Sequence, residues 1–333
     1  MLDARARANL AGNRLCRAGA AVIGLLIAFV LLGPLLAHHS PLESDFVHGL
    51  SADNTPVGPS VEFPLGADRL CRDVLSRLAA AGRMSLLIAC SATLIASVLG
   101  TAVGIVSGWY EGTRVRVPWP ALAGGGGAIA ALGLGRPGLA AIAATGGAAT
   151  AAAKWFGGPR TNLDGWLMRL VDVMLAFPFL LLAMAIGAAL DRTTASTIFV
   201  TLGVTGWMGI ARVLRAKTMQ VRSLQYIEAS RALGQSTWKL LLRHVLPNVA
   251  GTLVVAATVQ VAQMIIADSV LSYLGVGISP PTPTWGRMLF EGQDEYLAAP
   301  WLVAAPAIAI VLAVWGFNML GEGLRDALDP RQA

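Results

Sequence analysis

Apolar residues fill this chain in long blocks, and short charged stretches separate them. A helix that crosses the hydrocarbon core of a bilayer needs about 20 apolar residues, so the charge-free gaps carry the primary signal. Such gaps lie at 18 to 42, 84 to 110, 173 to 190, 193 to 211 and 296 to 321, and a further apolar run, with Asp268 inside it, follows Pro247 and extends to about Leu274. They predict an all-α, polytopic transmembrane helical bundle with six core spans.

Punctuation between the gaps sets their order and direction. Arg5, Arg7, Arg14 and Arg17 lie in or border a tail, 1–17, that the positive-inside bias places in the cytoplasm. The first transmembrane anchor occupies 18–37, and no small-x-small cleavage site follows it, so it reads as uncleaved. Residues 38–83 then form an external loop containing Pro41, Pro56, Pro59 and Pro64. In its last part Leu70, Val74, Leu75 and Leu78 recur at helical spacing between Arg69, Arg72, Asp73 and Arg77. That pattern predicts an amphipathic helix lying at the membrane surface.

The transmembrane core spans 84–322. Gly100, Gly104 and Gly108 give its first helix a small-residue stripe that lets another helix approach closely. Pro178 should bend or start the third span. Residues 117–153 form an Ala/Gly-rich insert divided by Arg136-Pro137, each half reaching at most about 29 Å as ideal helix. An additional membrane hairpin, a surface-lying or re-entrant segment and a low-complexity loop all fit it. A hairpin adds an even number of crossings, so the downstream topology is the same. Residues 323–333 form a cytoplasmic tail.

Composition agrees with the pattern. Of 333 residues 55% are hydrophobic and 13% charged, against about 25% charged in soluble domains. A net charge of +6 does not signal nucleic acid here. The basic residues flank apolar runs, as the bilayer's anionic cytoplasmic face favours. The three cysteines, Cys16, Cys71 and Cys90, lie too far apart for a zinc or disulfide framework. His38, His39 and His48 gather near Asp45 without helical i, i+4 spacing, in what reads as a solvated loop or a metal-collecting one.

No catalytic constellation stands out. A P-loop needs GxxxxGK[ST], and none of Lys154, Lys217 and Lys239 follows a glycine. The chain is therefore read as a non-enzyme that binds no cofactor of its own. Polar groups within spans are costly, an ionisable one by about 2.5–3.5 kcal/mol on insertion scales, which draws attention to Gln260, Gln263 and above all Asp268 in the fifth span. Gln260 and Asp268 share a helical face, and the set fits either a pore-lining stripe or hydrogen bonds between helices.

The most organised polar segment is the loop 212–247. It holds Arg212, Arg215, Lys217, Arg222, Arg231, Lys239 and Arg243 against the single acid Glu228, a strong cytoplasmic signal. Within it, YIEASRALGQSTWKLLLRHVLPN (226 to 248) reads as helix, turn, helix, kink. Gly234 permits the turn, Ser236 can cap the second helix and Pro247 redirects the chain into the next span.

This segment resembles the EAA loop of ABC importer permeases, through Glu228-Ala229-Ser230, Gly234 and the run His244 to Pro247. Further stretches, including LGADRLCRDVLSRL before the second span, MRLVDVMLAFP (168 to 178), LSYLGVGISPPTPTWGRML (271 to 289) and GEGLRDALDPR (321 to 331), are similar to the second permease subunit of dipeptide, oligopeptide or nickel importers. Ser230 stands where the EAA core has its second alanine, and the family pattern bridges 115 to about 160 with a short loop.

The resemblance implies a type I ABC importer permease fold in the inner membrane of a bacterium, with both termini cytoplasmic. It implies coupling to ATPases through Glu228, Ala229, Ser230, Ala232, Leu233, Gly234, Leu246 and Pro247. Its implied partners are a second, homologous permease subunit, two cytoplasmic ATPases that carry ATP and Mg, and an external solute-binding protein. The implied cargo is a di- or oligopeptide, with nickel or another small solute as the alternative. A basic-loop membrane scaffold or sensor that transports nothing is the reading from a different class.

Overall fold

The computed structural model describes residues 12–37, 39–51, 55–116, 160–189 and 194–328. The insert 117–153, with its competing readings, lies outside the described residues. So do the first 11 residues and the last five, 329–333, of the C-terminal tail.

Four helices are long and apolar enough to cross a membrane: α1 (Arg14–Leu36), α2 (Val74–Trp109), the helical run Thr237–Tyr273 and the last helix, Trp301–Leu328. Two bent pairs, α3 (Leu163–Ala176) with α4 (Phe179–Ala188) and α5 (Ala195–Thr205) with α6 (Met208–Arg222), bring the number to six when each pair is one span. A three-residue antiparallel ribbon, β1 (Arg114–Arg116) and β2 (Arg160–Asn162), is the sole strand pairing among the described residues. It brings the two ends of the undescribed stretch side by side.

The breaks have local causes. Phe177 is extended (φ −87°, ψ 135°), as the residue before a proline prefers, and Pro178 starts α4 after a bend of 82°. The 42° bend between α5 and α6 falls at Gly206-Trp207.

α2 is the axis of the molecule. Its 36 residues reach about 54 Å, well beyond a bilayer core. Its glycine stripe packs on α6: a Cβ on Gly100 would lie 2.8 Å from Trp207 O, one on Gly104 2.6 Å from Ala211 O, and one on Gly108 2.6 Å from Arg215 O. Only glycine admits backbones this close. One buried cluster gathers around the Val74 half of α2 with α1 and the last helix. A second gathers around its Trp109 half with α6 and the loop that follows.

The expected surface helix within 64–83 does not form. Asp73 caps α2, accepting from the N–H groups of Leu75 and Ser76, and helix starts only at Val74. The charges that gave the pattern its polar face are paired in space instead. Arg77 is 2% exposed and bonds Asp68 (3.2 Å) and Glu291 (2.7 Å), while Arg72 joins the same two acids. Glu291 lies on a short helix, Trp285–Gly292, against which α2 packs, and Arg287 of that helix completes the network. Basic residues on the face read as external are therefore locally neutralised.

Candidate functional site

The 226–248 segment is built outward from the second buried cluster. Arg222, at the end of α6, donates to Trp109 O and Glu111 O (both 2.8 Å) and to the Glu111 carboxylate (2.9 Å), fastening α6 to the end of α2. A turn at Ser223-Leu224 then starts α7 (Gln225–Ala232), whose Ile227 is wholly buried. Arg231, on the same helix, lays its guanidinium 4.7 Å from the Trp109 ring centre, a cation–π contact.

α7 stops as the glycine requires. Gly234 has φ +78°, its N–H donates to Arg231 O, and the N–H of Gln235 donates to Ser230 O. These two bonds make a Schellman motif, which ties off the last carbonyls of the helix. Ser236 then opens α8 (Thr237–Leu240) by position, with no side-chain capping bond. α8 continues through a π-helical turn, Leu241–Val245, into α9 (Leu246–Tyr273).

Pro247 therefore does not break the chain, as its sequence position led us to expect. It lies in the first turn of α9, and the helical run from Thr237 to Tyr273 is continuous. The wider π turn just before it accommodates a residue that cannot donate an i to i−4 hydrogen bond. Asn248 clamps the two arms, donating to Tyr226 Oη (3.0 Å) and His244 O (2.7 Å).

The result is a rigid knuckle with an open outer face. Glu228, Ala229, Ala232, Leu233 and Gly234 are all exposed, Leu233 by 88%, and Trp238 on α8 is 70% exposed. Ser230 is half-buried and turns its hydroxyl back to Tyr226 O (2.8 Å). Leu246 packs against the second cluster and so positions the knuckle, while Pro247 is exposed. Nothing within 4 Å would meet a Cβ on Gly234, so backbone conformation and not crowding demands glycine there. Sequence reasoning overlooked Trp238 and the Arg222–Trp109–Arg231 anchor. The signal for Trp238 was a large aromatic side chain between Thr237 and Lys239 in a charged loop, whereas Arg222 carries weight in the sequence only as a topological charge.

The candidate pore residues do not share one surface. Gln260 is buried and donates to Gly206 O (3.2 Å), supplying a partner to a carbonyl at the break between α5 and α6. Asp268 is buried and accepts from Ser85 Oγ (3.2 Å) of α2. Gln263 alone is exposed. The shared face of Gln260 and Asp268 turns into the bundle, which makes them inter-helix partners.

Long apolar helices, two bent pairs and a knuckle standing clear of them describe a polytopic membrane-protein bundle. Residues 144–333 match the family described as the binding-protein-dependent transport system inner membrane component, and the chain belongs to that family. It is a multi-pass bacterial inner-membrane protein, a permease subunit of an ATP-binding-cassette importer that works with ATPase and solute-binding partners.

Among its relatives, the glutathione transport system permease protein GsiD of Pectobacterium atrosepticum is 30% identical over 96% of this chain and 89% of its own length. The dipeptide transport system permease protein DppC of Bacillus subtilis is 31% identical over 97% and 84%. GsiD of an Escherichia coli strain is 34% identical over 84% and 76%. A solved chain of the inward-facing MetNI methionine ABC transporter is 18% identical, covers 76% of this chain and 96% of that one, and gives a TM-score of 0.49.

Proposed function

We propose that this subunit moves di- or oligopeptides or similar small solutes inward, paired with a second, homologous permease subunit and served by two cytoplasmic ATPases and an external solute-binding protein. The exposed face of α7, rigidly anchored from behind, is the observation that carries this reading. Such a face transmits a push only if its base cannot yield, and Ile227, Arg231 and the Asn248 clamp hold the base.

ATP and Mg reside on the ATPases, and the chain itself hydrolyses nothing. Closure of the ATPase dimer displaces α7 and, through Leu246 and α9, shifts the spans between inward-open and outward-open states. Both termini and the 212–247 loop face the cytoplasm. Gln263 faces the solute path or the second permease, because an amide turned to lipid would lack a partner. The dipeptide and glutathione systems of the relatives support a peptide cargo over nickel.

Affinity purification of the tagged subunit from its native membranes tests the assembly. The expected result is recovery of a second permease and of ATPase subunits, with ATP hydrolysis that rises when peptide-loaded binding protein is added. Recovery of the subunit without any ATPase would refute the coupling role and favour a scaffold.

A further inference from the structure

The segment between α1 and α2 brings together titratable side chains that lie apart from the coupling knuckle. A ring nitrogen of His39 and carboxylate oxygens of Asp45 and Glu62 all lie within 4.8 Å of one another. The surroundings hold each in place. The His39 ring stacks on Phe63, with centroids 4.9 Å apart and planes 12° from parallel, and Phe63 is itself buried. Asp45 Oδ1 accepts the N–H groups of Val47 (3.0 Å) and His48 (3.2 Å), which fixes its carboxylate across a tight turn.

His48 Nδ1 lies 2.9 Å from Asp45 Oδ2 and 3.6 Å from Glu62 Oε1, so one imidazole holds the two acids together. An ordinary hydrogen-bonded loop would account for these three residues. It does not account for His39. Its Nε2 is shut off from solvent and has no hydrogen-bond partner among the described residues, although two carboxylates stand close by. A buried polar atom without a partner is unfavourable, and a cation supplies the missing partner.

We infer that His39, Asp45 and Glu62 form a site for a transition-metal dication of the zinc class, with His48 as a positioning residue. The donor set argues for that class: imidazole with carboxylates suits zinc and its neighbours, whereas magnesium and calcium prefer all-oxygen shells. The spacing needs little adjustment. Metal–ligand bonds of about 2.0–2.2 Å place tetrahedral ligand atoms roughly 3.4 Å apart, and a modest contraction of the loop brings the three atoms to that distance. Water or a donor from a partner completes the fourth position.

The ligands come from both ends of the loop, so binding closes the segment from His39 to Glu62 into a ring beside the outer end of α1. The site stands whether or not the cargo is a peptide, since none of its residues belongs to the coupling knuckle.

The test uses the assembled transporter in detergent, purified without a histidine tag, and zinc chloride as the probe in competition with a fluorescent chelator. Wild-type complex should hold one zinc more than complexes carrying His39→Ala or Glu62→Gln, each of which should lose affinity at least about 100-fold at this site. His48→Ala should lose about 10-fold, as a group that only orients ligands does. Zinc should also slow chymotryptic cleavage after the exposed Phe46 in the wild type and not in His39→Ala. Equal zinc stoichiometry and affinity in wild type, His39→Ala and Glu62→Gln overturns the site. So does cleavage after Phe46 that ignores zinc in the wild type, because the ring would then not close.

Discussion

Glu228→Lys should bring ATP-driven uptake down to background while the amount of subunit in the membrane stays at the wild-type level. Glu228 is exposed, in the first turn of α7, and reversing its charge there costs the helix only about 0.3–1 kcal/mol through the helix dipole. Against a partner the same reversal is far more expensive. A lost or inverted charge pair in a desolvated interface costs roughly 2–5 kcal/mol, or about 30-fold and more in affinity. Gly234→Pro should have the same outcome by another route. Proline fixes φ near −65° where the chain has +78°, and it removes the N–H that donates to Arg231 O. Gly234→Asn should keep most of the uptake, since asparagine tolerates the left-handed conformation. Uptake and membrane abundance measured together in vesicles separate these cases, and normal uptake by both Glu228→Lys and Gly234→Pro would remove the knuckle from the mechanism.

The second large effect concerns stability. Arg215 of α6 grips Asp164 of α3 through two bonds, Nε to Oδ1 at 2.6 Å and a terminal nitrogen to Oδ2 at 2.7 Å, and Ser107 of α2 donates to the same carboxylate. Three helices meet on one buried acid. Arg215→Ala leaves the buried Asp164 carboxylate with the Ser107 hydroxyl and only the more distant charge of Arg222, a defect worth roughly 3–5 kcal/mol. Thermal inactivation of the purified complex should shift down by several degrees or more. Adding Asp164→Asn should recover part of the loss, because the double variant buries no unpaired charge. A single variant as stable as wild type would show that the pair adds nothing.

The legible part of this protein is the part written in local sequence. Charge-free gaps, the glycine stripe at Gly100, Gly104 and Gly108, and Pro178 each act through neighbours a few residues away or through the bilayer itself, and the helices are found where those signals lie. Gly234 belongs with them, because a left-handed turn after a helix is a property of the residue's own backbone. What could not be read depended on partners far along the chain. Arg77 looked like the polar face of a surface helix until Glu291, 214 positions away, neutralised it. Gln260 and Asp268 fitted a pore stripe and inter-helix hydrogen bonds equally well, and only their distant partners, Gly206 O and Ser85 Oγ, decide for the second. Pro247 failed for a subtler reason: a π turn can absorb a proline, and nothing in the residues 241 to 245 advertises one.

The outer face of α7 is a surface only for as long as no partner covers it. A photo-reactive amino acid at Leu233, exposed by 88%, reports directly on what does. In intact membranes of the native host, irradiation should link this subunit to an ATPase, and the same residue at Val61, 94% exposed at the other end of the molecule, should not. Linkage at Leu233 to lipid or to nothing, with the ATPase present in the same membranes, would contradict the claim that energy enters this subunit through the knuckle.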